Sequence, residues 1–260
     1  MFAFEWLVLV HAAALVLASA AAPRVVRRLT VVVGAAVLAA LVPAVAWGGA
    51  SALRLFLAPH VYLVSGYWLP ALLLNEASRS GVPGGRFEAW LVRSDARLRP
   101  WLPGVPRRLV STVELAYLLC YPLVPVSLGL VWWRGETADV GRFWLSVLAA
   151  GFACYGTLPW LVSRPPRATA GTGPEPRSVG ALNAFVLGRF SHRWNTFPSG
   201  HVAVSVAAAW SVWEIWPAAG AAVGGLAAAV AVGAGAGRYH YVMDVFAGVV
   251  VALLAAMVTW

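Results

Sequence analysis

Lysine is absent from this chain, and all 19 basic residues are arginine. Cationic contacts can come only from planar guanidinium groups, which suit bidentate binding of phosphate and lipid head groups. A genome-wide composition bias explains the same absence, and both readings stand. Charge of either sign is scarce: 11% of residues are charged, 61% are hydrophobic and the mean hydropathy is +0.77, which excludes a soluble globular domain. Cysteine is nearly absent as well. Cys120 and Cys154 both fall in apolar stretches, so neither a disulfide framework nor a metal cluster is indicated, and each reads as a small core residue. No long polar segment is left for a separate soluble domain. At about 20 residues per span, the chain has room for eight membrane helices and little else. The expected fold class is all-α, a polytopic membrane helix bundle.

The apolar runs place these helices in order. Residues 4–22 carry only Glu5 and His11 as ionisable groups and read as a retained first helix, because no positive charge precedes them. Their end, Ala18-Ser19-Ala20, also has the form of a signal-peptide cleavage site. Further spans are expected at 29–48 and 55–74, the latter with His60 as a structural or interfacial histidine. Residues 75–108 break the pattern with Pro, Gly and seven arginines. The part from 86 to 99 fits an amphipathic helix on the membrane surface, and it also fits a solvated basic loop. A fourth span covers about 109–133 with Glu114 in its first turns, either holding an arginine of a site or sitting in interfacial water. A polar turn at 134–142 leads to a fifth span ending near Val162, and a Gly/Pro-containing loop continues to Pro198. The last three helices are expected at 199–215, 217–236 and 239–260, with the glycines of 224–237 letting neighbouring backbones pack closely.

Two short runs carry the chemistry: Asn195-Thr196-Phe197-Pro198-Ser199-Gly200-His201 and Arg238-Tyr239-His240-Tyr241-Val242-Met243-Asp244. Each lies where a polar loop meets a long apolar stretch, at the mouth of a membrane helix. His240 and Asp244 are four apart and share one helix face, so the carboxylate can hold one ring nitrogen and leave the other as nucleophile or base. Ser199-Gly200-His201 opens a helix, where unpaired backbone N–H groups beside a glycine bind phosphate. Together the runs read as a phosphoryl-transfer site.

Pro198-Ser199-Gly200-His201 followed by His240-xxx-Asp244 resembles the type 2 phosphatidic acid phosphatase (PAP2) superfamily of membrane lipid phosphatases and phosphotransferases. The Arg238-Tyr239-His240-Tyr241 form is similar to its inositolphosphotransferase-like branch. The resemblance implies two N-terminal transmembrane helices over residues 1–50 and a six-helix catalytic core over 51–260, with the basic loop at about 75–108. It also implies that His240 attacks phosphorus to form a phosphohistidine, Asp244 orients it, and His201 protonates the leaving oxygen. Two departures from the family pattern concern phosphate binding. Position 157 is threonine where a lysine precedes Arg164-Pro165 by seven, and Arg167, in the Pro165-Pro166-Arg167 form, is the favoured phosphate ligand over Arg164. Position 234 is alanine where an arginine precedes the nucleophile by six, which leaves Arg238 as the nearby replacement. The expected phosphate-binding set is Arg167, Arg238, Arg164, Ser199 and Gly200, with no metal and no cofactor.

The expected partners are a lipid phosphate and the bilayer, with no nucleic acid and with oligomeric state open. Release of phosphate to water, transfer of a head group to an alcohol, and lipid binding or transport without catalysis are the three readings carried forward. Sixteen of the arginines fall on the face bearing loops 23–28, 75–108, 163–198 and 237–240, against Arg54, Arg134 and Arg142 opposite. The positive-inside rule puts that face, and the site, in the cytoplasm of a bacterial plasma membrane. Site arginines contribute to the count, and many family members face outward, so the side stays open.

Overall fold

The computed structural model describes residues 1–20, 25–49, 51–74, 85–101, 106–170, 178–192 and 194–260. Arg24, Arg79, Arg177 and Arg193, counted in the charge asymmetry, lie outside the described residues. Among the described residues the fold is all-helical, 84% helix, with no strand beyond an isolated bridge between Ser163 and Asn195.

The helices are α1 (Ala3–Ser19), α2 (Val25–Ala46), α3 (Ala58–Leu72), α4 (Gly85–Leu98), α5 (Val110–Leu118), α6 (Cys120–Arg134), α7 (Thr137–Gly156), α8 (Pro166–Ala170), α9 (Ser178–Phe190), α10 (Gly200–Ile215), α11 (Pro217–Ala236) and α12 (Val242–Thr259). Among the described residues, four stretches are long and apolar enough to cross a membrane: Arg27–Ala46, Leu53–Leu72, Pro217–Ala236 and Val242–Thr259. A fifth is formed if α5 and α6, bent by 51° at Leu119, count as one. Pro122 sits just beyond that bend, where its ring displaces the Leu118 carbonyl and supplies no N–H to it. The other expected spans fall short in length or apolarity: α1 has 17 residues, α10 has 16, and α7 carries Asp139 and Arg142 in its first turns.

Helices α7 and α10 form the centre. α10 packs against α6, α7, α11 and α12, and α7 also packs against α1, α3 and α12. Among lipid tails, association depends on close packing rather than on water exclusion, so small residues at the contact decide how near two helices come. α10 supplies them in Ala203, Ser205, Ala207, Ala208, Ala209 and Ser211, all buried. In the 224–237 glycine run, close approach occurs at Gly233, where a Cβ would come within 2.9 Å of the Val113 carbonyl oxygen of α5. A Cβ added at Gly224 or Gly225 would meet nothing within 4 Å, so these glycines do not serve close packing here.

Local chemistry accounts for three departures from the expected boundaries. Before α3 the chain makes a π turn at Leu53–Leu57, because Pro59 cannot donate to the Leu55 carbonyl. The Trp144 indole N–H takes up that carbonyl at 2.7 Å. The fifth span stops at Gly156 rather than near Val162: Pro159 removes the next amide, and the Thr157 hydroxyl donates to the Cys154 carbonyl at 2.7 Å. The loop expected over 163–198 contains α8 and the 13-residue α9. Residues 86–99 do form a helix, α4, which buries Glu88, Leu91 and Asp95 on one face.

Candidate active site

The reversal between α11 and α12 presents His240. Arg238 adopts a left-handed backbone, φ +59°, a conformation costing a non-glycine residue about 1 kcal/mol or more. This turns the chain so that the amides of Tyr239 and His240 both donate to the Ala234 carbonyl, each at 3.0 Å. His240 is buried, and its Nδ1 lies 3.5 Å from Asp244 Oδ2, an ion-pair distance longer than an ordinary N–H···O bond. Oδ2 also accepts from the Tyr241 amide at 2.9 Å, closing the first turn of α12, and from Asn195 Nδ2 at 2.7 Å. Asn195 in turn donates to Ser163 Oγ at 3.1 Å, and its amide donates to the Ser163 carbonyl at 2.9 Å. The Asp244 carboxylate is thus fixed from two sides before it meets the imidazole. Asn195 heads the first motif run, but its reach to Asp244 crosses 49 residues and has no signal in local spacing.

His201, in the first turn of α10, faces His240 with ring centroids 5.9 Å apart. Its Nδ1 lies 3.3 Å from the Tyr117 hydroxyl of α5, and Tyr117 stacks on Tyr239 at 4.0 Å. Both histidines line one cavity of about 840 Å³, together with Arg164 and Arg167.

Arg167 is clamped from three directions. Its Nε donates to the Gly237 carbonyl at 2.6 Å, its Nη2 pairs with Glu114, and the guanidinium carbon lies 3.6 Å from the Tyr239 ring centroid. Glu114 is buried and also accepts from the Tyr239 hydroxyl and from Asn183 Nδ2, the latter at 2.7 Å. Glu114 therefore holds Arg167 rather than sitting in interfacial water. Desolvation and the bond to Glu114 raise Tyr239 above the ordinary phenol range, which keeps its O–H a donor. Arg164 lines the same cavity while pairing with Glu88 of α4 at 2.8 Å.

Three expected phosphate ligands are placed differently. Arg238 lines an adjacent crevice of about 480 Å³ with Asp95, Arg99 and Tyr241, rather than the imidazole cavity. At position 234 the alanine is buried beneath the Tyr117–Tyr239 pair, and Arg167 reaches the same region from the other loop. The Ser199 amide donates to the Asp244 carbonyl at 3.0 Å and the Gly200 amide to Thr196 Oγ1 at 3.3 Å, so both N–H groups are engaged within the protein. The glycine serves packing, since a Cβ at Gly200 would overlap the Tyr155 ring.

The sequence reading missed His192. It lines the cavity, stacked on Tyr67 at 4.2 Å, and neither ring nitrogen has a hydrogen-bond partner. Desolvation pushes its pKa down to about 4, so the ring is neutral near pH 7. Trp68, Leu72 and Trp194 complete an aromatic and apolar wall on this side. Among the described residues, no group of three His, Cys, Asp or Glu side chains is arranged to hold a metal ion.

Imidazoles, arginines and a buried carboxylate are thus gathered at helix ends. The PAP2 superfamily model matches residues 140–260. The match covers less than half of the chain and makes residues 140–260 similar to that superfamily, and several helices among the described residues are long and apolar enough to cross a membrane. No curated protein and no solved structure matches the chain. The matched segment carries His201, His240, Asp244, Arg164 and Arg167, whereas several groups that hold them, Glu88, Glu114 and Tyr117, come from the chain before it.

Proposed function

We propose that this protein is a lipid-phosphate phosphohydrolase that works through a phosphohistidine. His240 Nε2, the ring nitrogen away from Asp244, attacks phosphorus and forms a P–N bond as the P–O bond to the lipid alcohol breaks. His201 delivers a proton to the departing oxygen. Water then attacks the phosphohistidine and gives a proton back to His201, releasing phosphate and free His240. Asp244, held by Asn195 and the Tyr241 amide, stabilises the charge that develops on His240. Arg167 and Arg164 neutralise the equatorial oxygens, where most catalysis of phosphoryl transfer resides. The observation that carries this reading is the His201–His240 pair facing across one cavity beside Arg167.

In this reading α1, α7 and α10 also cross within the bundle, giving eight spans in all. The six spans after residue 51 form the catalytic core, and the arginine-rich cavity face lies in the cytoplasm. Inorganic phosphate release from a panel of lipid phosphates, without added metal, tests the reading in purified protein. The native protein should release phosphate and His240→Ala should not, with equal amounts of folded protein. Full turnover by His240→Ala would overturn the mechanism, and a protein that only binds or transports lipid would tolerate the change.

A second reading, transfer of the phosphoryl head group to an alcohol as in the inositolphosphotransferase-like branch, is favoured by the size of the cavity. Its wall of Tyr67, Trp68, Trp194 and neutral His192 extends beyond what one phosphoryl group needs. Product formation that depends on an added alcohol and competes with phosphate release would select it.

A further inference from the structure

Helix α4 has an unusual division of charge. Both of its acids, Glu88 and Asp95, are buried against the protein, while Arg86, Arg93 and Arg97 are exposed. The spacing 86, 90, 93, 97 puts these arginines and Trp90, 38% exposed, on one stripe of the helix. The inner face grips the loops that carry the site. Glu88 accepts from the Arg164 amide at 2.8 Å and pairs with its guanidinium, and Asp95 accepts from the Val242 amide at 3.1 Å. Phe87 and Trp90 rest on Phe197, three residues before the Gly200 that opens α10. Val242 is also the first residue of an apolar stretch long enough to cross a membrane. The helix therefore lies at the depth where a span leaves the hydrocarbon for the head groups.

We infer that the outer stripe of α4, Arg86, Trp90, Arg93 and Arg97, binds the anionic head groups of the bilayer around the protein. Three guanidinium groups without an acid on the same face complement a negative lipid surface. An interfacial tryptophan between them anchors the helix at head-group level. Each arginine near such a surface strengthens partitioning roughly fivefold. Because the inner face of the same helix clasps Arg164 and the start of α12, lipid contact also steadies the phosphate cavity. This second part rests on the phosphohydrolase reading above.

The test uses the full chain with a single new cysteine, Ala89→Cys, which lies on the exposed side of α4 and carries an environment-sensitive fluorophore. Cys120 and Cys154 are buried, and the parent chain treated with the same reagent serves as the blank. The protein is reconstituted in discs of phosphatidylcholine alone or with phosphatidylglycerol added. A blue shift in the anionic discs is expected, reversed by high salt and absent from R86Q/R93Q/R97Q. Equal emission in both discs, or a shift that persists in the triple variant, overturns the inference. Phosphate release in the same discs separates the two readings. Release that rises with phosphatidylglycerol in the native chain but not in R86Q/R93Q/R97Q supports the coupling. Release indifferent to lipid, beside a normal shift, removes the coupling and leaves the contact. No release in any disc, beside a normal shift, counts against the phosphohydrolase reading alone.

Discussion

Replacing Glu114 by Gln keeps the shape of the side chain and removes its charge, leaving the Arg167 guanidinium without its counter-ion. Breaking a fully buried ion pair costs about 3–5 kcal/mol. The Arg167 side chain is 25% exposed, so water compensates part of this and about 2 kcal/mol of stability is the expected loss. For a chain of this size that corresponds to a fall in Tm of roughly 4–8 °C, read by thermal unfolding in detergent. The effect on rate should be larger. Arg167 is aimed by Glu114, the Gly237 carbonyl and the Tyr239 ring together, and loss of one aimed donor to a transition-state oxyanion costs about 100-fold or more in kcat. In a double-mutant cycle, E114Q and R167M should be strongly non-additive, with the double variant more stable than the sum of the single losses. E114Q with native Tm and native kcat, or strict additivity, would refute the view that Glu114 sets the phosphate-binding arginine.

Asn195→Ala should lower kcat at least tenfold with little change in KM, because it frees Asp244 without touching the phosphate ligands; equal effects on both constants would count against a positioning role. Gly200→Ala should destabilise by about 1–3 kcal/mol through overlap with Tyr155. Tyr155→Leu in the same chain should restore part of that loss, whereas no restoration would mean that the glycine serves something other than packing. The pKa of His192 is held near 4 in the folded state, below its usual value of about 6.5, so the unfolded chain binds more protons between these pH values. Its contribution to stability should be intact above about pH 6.5 and be lost as pH falls toward 4. The fall in Tm between neutral and mildly acidic pH should therefore be smaller in His192→Phe; an unchanged slope would contradict the assignment.

The contact between His240 and Asp244 was legible because its signal is local. The two are four residues apart, although His240 lies in the turn before α12 rather than on its face, and the approach of His201 to His240 comes from packing rather than spacing. Hydropathy, also a local signal, located α2, α3, α11 and α12. What spacing could not provide are contacts made across the fold. Glu114 meets Arg167 across 53 residues, Tyr117 meets His201 across 84, and Glu88 meets Arg164 across 76. Helix α9 was hidden because Gly180 and Gly188 interrupt its apolar run. The amides of Ser199 and Gly200 looked available for phosphate because a helix start leaves them unpaired by its own bonds. The Asp244 carbonyl and Thr196 hydroxyl that occupy them are tertiary and local side-chain partners respectively. Arg238 was favoured for its nearness in sequence to His240, but its left-handed backbone belongs to a turn that directs the side chain to the adjacent crevice.

The central claim is tested most directly by trapping the covalent intermediate. The purified protein would be mixed briefly with a lipid phosphate, quenched in alkali, digested and analysed by mass spectrometry. The expected result is one acid-labile, alkali-stable phosphoryl group on His240, absent from His240→Ala and longer-lived in His201→Gln if water attack needs that base. Turnover with no phosphoryl group on His240 at any quench time, or with one on another residue, would contradict the account.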